Sequence, residues 1–201
     1  GSLVPLQWRA KQLRPPIVVV LCDISGSMAK YSQMLLHFLH SVARNRQQVN
    51  SFLFGTKLTN ITRQLKNQNI DYAIREVTKS VKDWEGGTRI GASIKEYNFR
   101  WLRRIGPNPV VLLISDGLDR DDGVDLNSAM ERLHKSSSTL IWLNPLLRYS
   151  EYKAISKGAK LILPHTDLFL PVHNLNSLNE LIDILGRENK ITRKNNYGIN
   201  W

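Results

Sequence analysis

Three short stretches of this chain are apolar at successive positions rather than alternate ones: Ile17-Val18-Val19-Val20-Leu21-Cys22, Val110-Val111-Leu112-Leu113-Ile114 and Leu140-Ile141-Trp142-Leu143. Successive side chains on a strand point to opposite faces. A strand apolar on both faces must therefore be covered on both faces. Between these runs lie longer segments of helical periodicity. Strands alternating with helices predict a mostly parallel central sheet with helices on either side, a Rossmann-like three-layer α/β/α sandwich.

The spacing predicts the elements in turn. Strand one covers about 17–22 and a helix follows over 28–47. Val49 to Phe54 is the second strand, ended by Gly55, and Leu58 to Leu65 reads as a short antiparallel edge strand. Asp71 to Val81 is a helix with Asn69 or Asp71 as cap. Ile90, Ile94, Tyr97, Trp101 and Leu102 place one amphipathic helix over Thr88 to Ile105, stopped by Pro107 and Pro109. Strand 110–115, a helix from Asp125 to Lys135 and strand 139–143 come next. Tyr149 to Lys157 reads as helical with Gly158 as its stop. Lys160 to Leu163 reads as a last short strand. A final helix is expected over 175–185, capped by Asn174 or Asn176. Domain organisation follows: a linker or edge segment over 1–16, one domain over 17–186, and a basic polar tail over 187–201. Gly1-Ser2 has the look of a cloning scar, which predicts a start inside a longer protein.

At 201 residues the chain suits one domain with a sizeable core. Its apolar runs fall far short of the ~20 residues that span a bilayer, and no signal peptide is evident. One cysteine, Cys22, excludes an intrachain disulfide and reads as a core thiol. Together these favour a cytoplasmic protein. The charge is +11, from 28 basic and 17 acidic residues. It is scattered: Arg9, Lys11 and Arg14; Arg100, Arg103 and Arg104; then Arg187, Lys190, Arg193 and Lys194. No aromatic stacking motif accompanies it, so solvated faces and an interaction surface are expected before nucleic acid.

Strand one runs directly into Asp23-Ile24-Ser25-Gly26-Ser27. A carboxylate and two hydroxyls thus fall on a loop at the carboxyl end of a parallel strand, the edge where open α/β sheets place ligands. Such oxygens are hard donors, suited to Mg²⁺, Ca²⁺ or Mn²⁺. The ordinary alternative is capping of the following helix. Downstream, Gly86-Gly87-Thr88 presents a hydroxyl, and Ser115-Asp116-Gly117 follows the strand over 110–114. The Gly-rich loop is not a phosphate loop of the Walker type, because Ala92 stands where Lys is needed. Asp23 lacks the second Asp of a phosphotransfer pair. Asp119, Asp121, Asp122 and Asp125 read as a solvated acidic loop with Asp125 as helix cap. His37 and His40 read as helix-surface residues. No Ser-His-Asp or Cys-His arrangement has local support.

Asp-x-Ser-x-Ser, Gly-Gly-Thr and strand-Ser-Asp-Gly, in that order, resemble the von Willebrand factor A (VWA) domain. The resemblance implies a metal-ion-dependent adhesion site formed by Asp23, Ser25, Ser27, Thr88 and Asp116, with one position left for a partner's carboxylate. Ile114 to Arg120, Leu140 to Leu146 and Phe169 to Leu175 resemble the CoxE-like branch, over about residues 15–186. Leu118 stands where an aromatic is common in that branch. The branch implies a bacterial cytoplasmic, non-enzymatic adaptor. It would hold Mg²⁺ and work with a MoxR-type AAA+ ATPase in maturing a metalloenzyme such as a molybdenum carbon monoxide dehydrogenase-like hydroxylase. Two other readings remain open at this point: a nucleic-acid-binding VWA module using the basic surface, and a metal-assisted hydrolase.

Overall fold

The computed structural model describes residues 16–81, 84, 87–120, 125–148 and 156–172. The six strands are β1 (Val18–Asp23), β2 (Val49–Phe54), β3 (Leu58–Asn60), β4 (Val110–Ile114), β5 (Thr139–Asn144) and β6 (Leu168–Pro171). They form one sheet in the order β3-β2-β1-β4-β5-β6. Every pairing is parallel except β2 with the edge strand β3. The helices are α1 (Ser32–Asn45), α2 (Thr62–Leu65), α3 (Ile70–Ser80), α4 (Ile90–Arg100), α5 (Leu102–Ile105), α6 (Leu126–Ser136) and α7 (Lys157–Ile162). The expected three-layer sandwich is therefore the fold.

The unbroken apolar runs divide between two cores as the pleat requires. Val18, Val20, Cys22, Leu112, Ile114, Ile141 and Leu143 face Leu35, Leu39 and Val42 of α1 and Val77 of α3. Val19, Leu21, Val111, Leu113, Leu140 and Trp142 face Ile90, Ile94 and Tyr97 of α4, Met130 and Leu133 of α6, and Ile162 of α7. Cys22 is a buried core thiol, and burial pushes its pKa well above the ordinary thiol range.

Several local expectations need correction. A 3-10 segment, Gly26–Tyr31, precedes α1, so the first helix is not continuous from 28. The predicted edge strand stops at Asn60, whose Oδ1 accepts the backbone N–H of Thr62 and opens α2. The single helix over 88–105 divides at Trp101, which is where its ring meets the edge of Phe52. Lys160 to Leu163 is not a strand: Lys160 to Ile162 belong to α7, capped by Ser156, whose Oγ accepts from Ala159 N. A helix lets Ala159 and Ile162 bury together, and four residues of sequence cannot separate that from a strand. The sixth strand lies further on, at Leu168–Pro171, beside β5. Gly158 sits inside α7 rather than stopping a helix, and a Cβ there would collide with the Gly117 carbonyl. His40 is buried, its Nε2 at 2.8 Å from the Asn67 carbonyl oxygen, and so is not a surface residue. Asn69 caps α3 by accepting from Tyr72 N, as expected. Asp125 occupies the N-cap position of α6 without a side-chain cap bond and pairs with Lys95 instead. The expected linker up to residue 15, residues 149–155 of the expected helix over 149–157, the helix over 175–185 and the tail lie outside the described residues.

Candidate metal centre

The sheet's topological switch point lies between β1 and β4. From β1 the chain moves outward to β2 and β3, then returns to β4 and moves the other way. Adjacent parallel strands whose connections leave in opposite directions open a crevice at their carboxyl ends. Asp23 ends β1, and Ser115-Asp116 follows β4 directly.

Asp23 is almost wholly buried, at 1% exposure. Its Oδ1 accepts the backbone N–H of Ser25 at 2.8 Å, and its Oδ2 accepts the hydroxyl of Ser115 at 2.9 Å. The carboxylate is thus oriented from both sides while each oxygen keeps a further lone pair. Burial pushes its pKa up to about 7, and the charge of Asp116 adds to the rise. The hydrogen bonds from Ser25 and Ser115 oppose it. Two buried carboxylates in one crevice form a site that a cation stabilises.

Asp116 is buried, and its Oδ1 accepts from Leu118 N at 3.1 Å. Gly117 follows at φ 77°, a conformation that disfavours a Cβ. A Cβ there would also meet the Trp142 ring at 3.0 Å. The loop is held from below. Trp142 Nε1 donates to the Ser115 carbonyl oxygen at 2.9 Å, and Asn144 Nδ2 donates to the Asp116 carbonyl oxygen at 3.4 Å.

Ser25 is buried and Ser27 exposed, with their hydroxyl oxygens 3.1 Å apart. Ser25 occupies the N-cap position of the 3-10 segment, but its side chain makes no cap bond. Helix capping therefore does not consume these hydroxyls. Thr88 is 4% exposed, and its hydroxyl makes no hydrogen bond among the described residues. Its loop is tied to both flanking loops: Arg89 N donates to Gly55 O beyond β2, and Arg120 N donates to Thr88 O.

The structure brings Asp23, Ser25, Ser27 and Asp116 to one sheet edge, and backbone bonds fasten the Thr88 loop to the same edge. Among the described residues no cluster of three or more His, Cys, Asp or Glu could hold a metal, so a metal centre here depends on hydroxyl oxygens as well as carboxylates. Such a hard, all-oxygen set fits Mg²⁺, Mn²⁺ or Ca²⁺ by its chemistry.

Sequence reasoning overlooked Ser115 and Trp142 as parts of the site. Adjacency to Asp116 was the available signal for Ser115. Trp142 lies 27 residues downstream of Ser115, and only the β4–β5 pairing brings it near. Asp119 is likewise not a freely solvated loop residue, since its Oδ1 accepts from Ile90 N at the start of α4. Among the described residues, no helix is long and apolar enough to cross a membrane.

A family model described as VWA domain containing CoxE-like protein matches residues 1–178. No curated protein sequence matches the chain. Solved structures share the fold. BatB from Bacteroides thetaiotaomicron superposes with a TM-score of 0.57 at 14% identity, over 86% of this chain and 97% of that one. An aerotolerance-related membrane protein from Bacteroides fragilis gives 0.56 at 15%, over 85% and 98%. Proximal thread matrix protein 1 from the mussel byssus, with a zinc-occupied MIDAS motif, gives 0.56 at 18%, over 86% and 48%. The chain thus spans less than half of the mussel protein.

Proposed function

We propose a metal-dependent docking role for this chain, which belongs to the family of VWA domain containing CoxE-like proteins. Asp23, Ser25, Ser27, Thr88 and Asp116 would hold a divalent cation, Mg²⁺ first, directly or through water. A bound cation would supply one open coordination position to a carboxylate from a partner protein. The observation that carries the reading is the buried Asp23 carboxylate, oriented by Ser25 N and Ser115 Oγ beside a second buried carboxylate.

The donor set explains why the ligand would be an acid. Only two of the proposed ligands carry charge, and the rest are neutral hydroxyls. A third carboxylate is then attracted by the cation rather than repelled by a crowded anionic shell. Ser115 and the backbone of Ser25 keep Asp23 aimed, and the indole of Trp142 keeps Ser115 in place. The reading is of binding rather than turnover. The Ser25 hydroxyl meets another hydroxyl, and no described base bonds the Thr88 hydroxyl. Hydrolysis of model phosphoesters in Mg²⁺ or Mn²⁺ would argue for an enzyme instead.

The partner in this proposal is a MoxR-type AAA+ ATPase or the metalloenzyme it helps to mature, met in the cytoplasm. The test is a pull-down with the full-length protein, in Mg²⁺, in EDTA, and with Thr88→Ala. Thr88→Ala removes a neutral ligand without adding charge. Retention in Mg²⁺ alone is the expected result. Equal retention in all three would remove the metal centre as the recognition element.

A further inference from the structure

We propose that Arg120 is a second recognition residue beside the metal loops, and that the docking ligand is an acidic peptide segment with two nearby carboxylates. One carboxylate would go to the metal and the other to the guanidinium. The inference rests on the metal-dependent reading above and extends it.

Arg120 closes the loop that begins at Ser115. Its backbone N–H donates to Thr88 O at 3.0 Å, and the carboxylate of the preceding Asp119 accepts from Ile90 N at 3.0 Å, so two bonds hold this loop against the Thr88 loop. The side chain then folds over Gly87. A Cβ added to Gly87 would stand 2.5 Å from Arg120 Nη1, 2.6 Å from Cδ and 2.7 Å from Cζ. The guanidinium therefore occupies the space that any side chain at 87 would need. Glycine at 87 is what lets the charge lie beside Thr88.

That charge is exposed, and among the described residues it has no ion-pair or hydrogen-bond partner. Among the described residues, the nearby acids have other partners: Asp116 accepts from Leu118 N, Asp119 from Ile90 N, and Asp125 pairs with Lys95. Some exposed cations of this chain are matched, as Arg100 is to Glu96, Lys79 to Glu76 and Lys135 to Glu131; what sets Arg120 apart is its place over Gly87, beside Thr88. An unmatched guanidinium on the rim of an acid-binding crevice is placed to take a carboxylate. Its planar fork uses both oxygens of one carboxylate. A carboxylate already on the cation keeps only one oxygen free, so a second acid uses the fork more fully.

The probes are short capped peptides, one with a single Glu and others with a second Glu one to three positions away. Binding is measured by calorimetry in Mg²⁺ and in EDTA. The wild type should bind the best two-Glu peptide about tenfold tighter than the one-Glu peptide. Arg120→Ala should reduce that ratio to about one without weakening Mg²⁺ binding, and Arg120→Lys should fall between. Gly87→Ala should also reduce the ratio, by pushing the guanidinium aside with no change of charge. The clash there is with a flexible side chain and Gly87 has no left-handed φ, so the fold should persist in circular dichroism. A ratio near one in the wild type, or a tenfold ratio surviving Arg120→Ala, overturns the proposal. If EDTA leaves both affinities unchanged while Arg120→Ala still removes the ratio, Arg120 stands and the metal reading fails. If EDTA abolishes binding and the ratio survives Arg120→Ala, the metal reading stands and Arg120 falls.

Discussion

The two ends of the parallel sheet solve the same problem differently. At the amino end, bonds run mostly from backbone to backbone: Val18 N donates to Gln48 O, Val110 N to Ile17 O, and Ser138 N to Pro109 O; the acid there, Asp167, is used on both oxygens, by Leu140 N and His134 Nε2. Little polar capacity is left over. At the carboxyl end, buried side-chain oxygens do much of the work, from Asp23, Ser25, Thr88, Ser115, Asp116 and Asn144. Buried polar groups cost stability unless matched, and buried like charges cost more. The carboxyl end therefore carries unspent binding capacity and the amino end does not. That asymmetry, more than any single residue, is what supports the proposal of a ligand at the carboxyl end.

Trp142 offers the harshest test, because it joins the core to the carboxyl-end loops. Its ring stacks on Phe169 at 4.4 Å, and its indole N–H holds Ser115. Trp142→Ala should cost about 3–5 kcal/mol of stability in urea unfolding. Trp142→Phe keeps most of the apolar volume but strands the Ser115 carbonyl, at about 1–3 kcal/mol. Both should weaken Mg²⁺ binding, since the loop that orients Asp23 through Ser115 is released. Mg²⁺ affinity unchanged in Trp142→Phe would show that the loop is held without the indole.

Asp23→Asn separates charge from shape. The amide oxygen can still accept from Ser25 N, and its NH2 can donate to Ser115 Oγ once that hydroxyl turns, so metal-free stability should change by about 1 kcal/mol or less. Mg²⁺ at about 100 times its Kd should stabilise the wild type by about 2.7 kcal/mol, a rise in Tm of several degrees for a chain of this size. Asp23→Asn should lose that rise. A rise of equal size in the variant would remove Asp23 from the metal centre.

The sequence was legible where one local rule decided the outcome. Consecutive apolar residues marked the central strands, and the acids that end them lay next in line, which is why Asp23 and Asp116 could be named together. It was least legible where partners came from afar. Nothing local to Ser115 reveals Trp142, and nothing local to His40 reveals the Asn67 carbonyl that buries it. Lys160 to Leu163 failed for another reason: a short apolar run fits a strand or a buried helix equally, and the Ser156 cap decided it. Arg120 was visible as part of a motif, but its use depends on the bare surface of Gly87.

Gly106 supplies the converse case at the amino end. It leads into β4 from α5 at φ 115° and ψ 172°, a conformation essentially reserved for glycine. A Cβ there would also stand 2.9 Å from Ile17 Cδ1. Gly106→Ala should therefore destabilise the fold by about 1–3 kcal/mol, through backbone strain and a crowded Ile17. The strain sits at the opposite end of β4 from Asp116, and rigid parallel strands lie between. The Mg²⁺-induced rise in Tm should survive at its full size, from a lower starting temperature. Asp23→Asn and Gly106→Ala thus predict opposite patterns in one thermal melt repeated with and without Mg²⁺. The first keeps its baseline and loses the rise; the second loses baseline and keeps the rise. If Gly106→Ala also diminished the rise, the amino end would be coupled to the metal loops through β4, and the division of labour between the two ends would not hold.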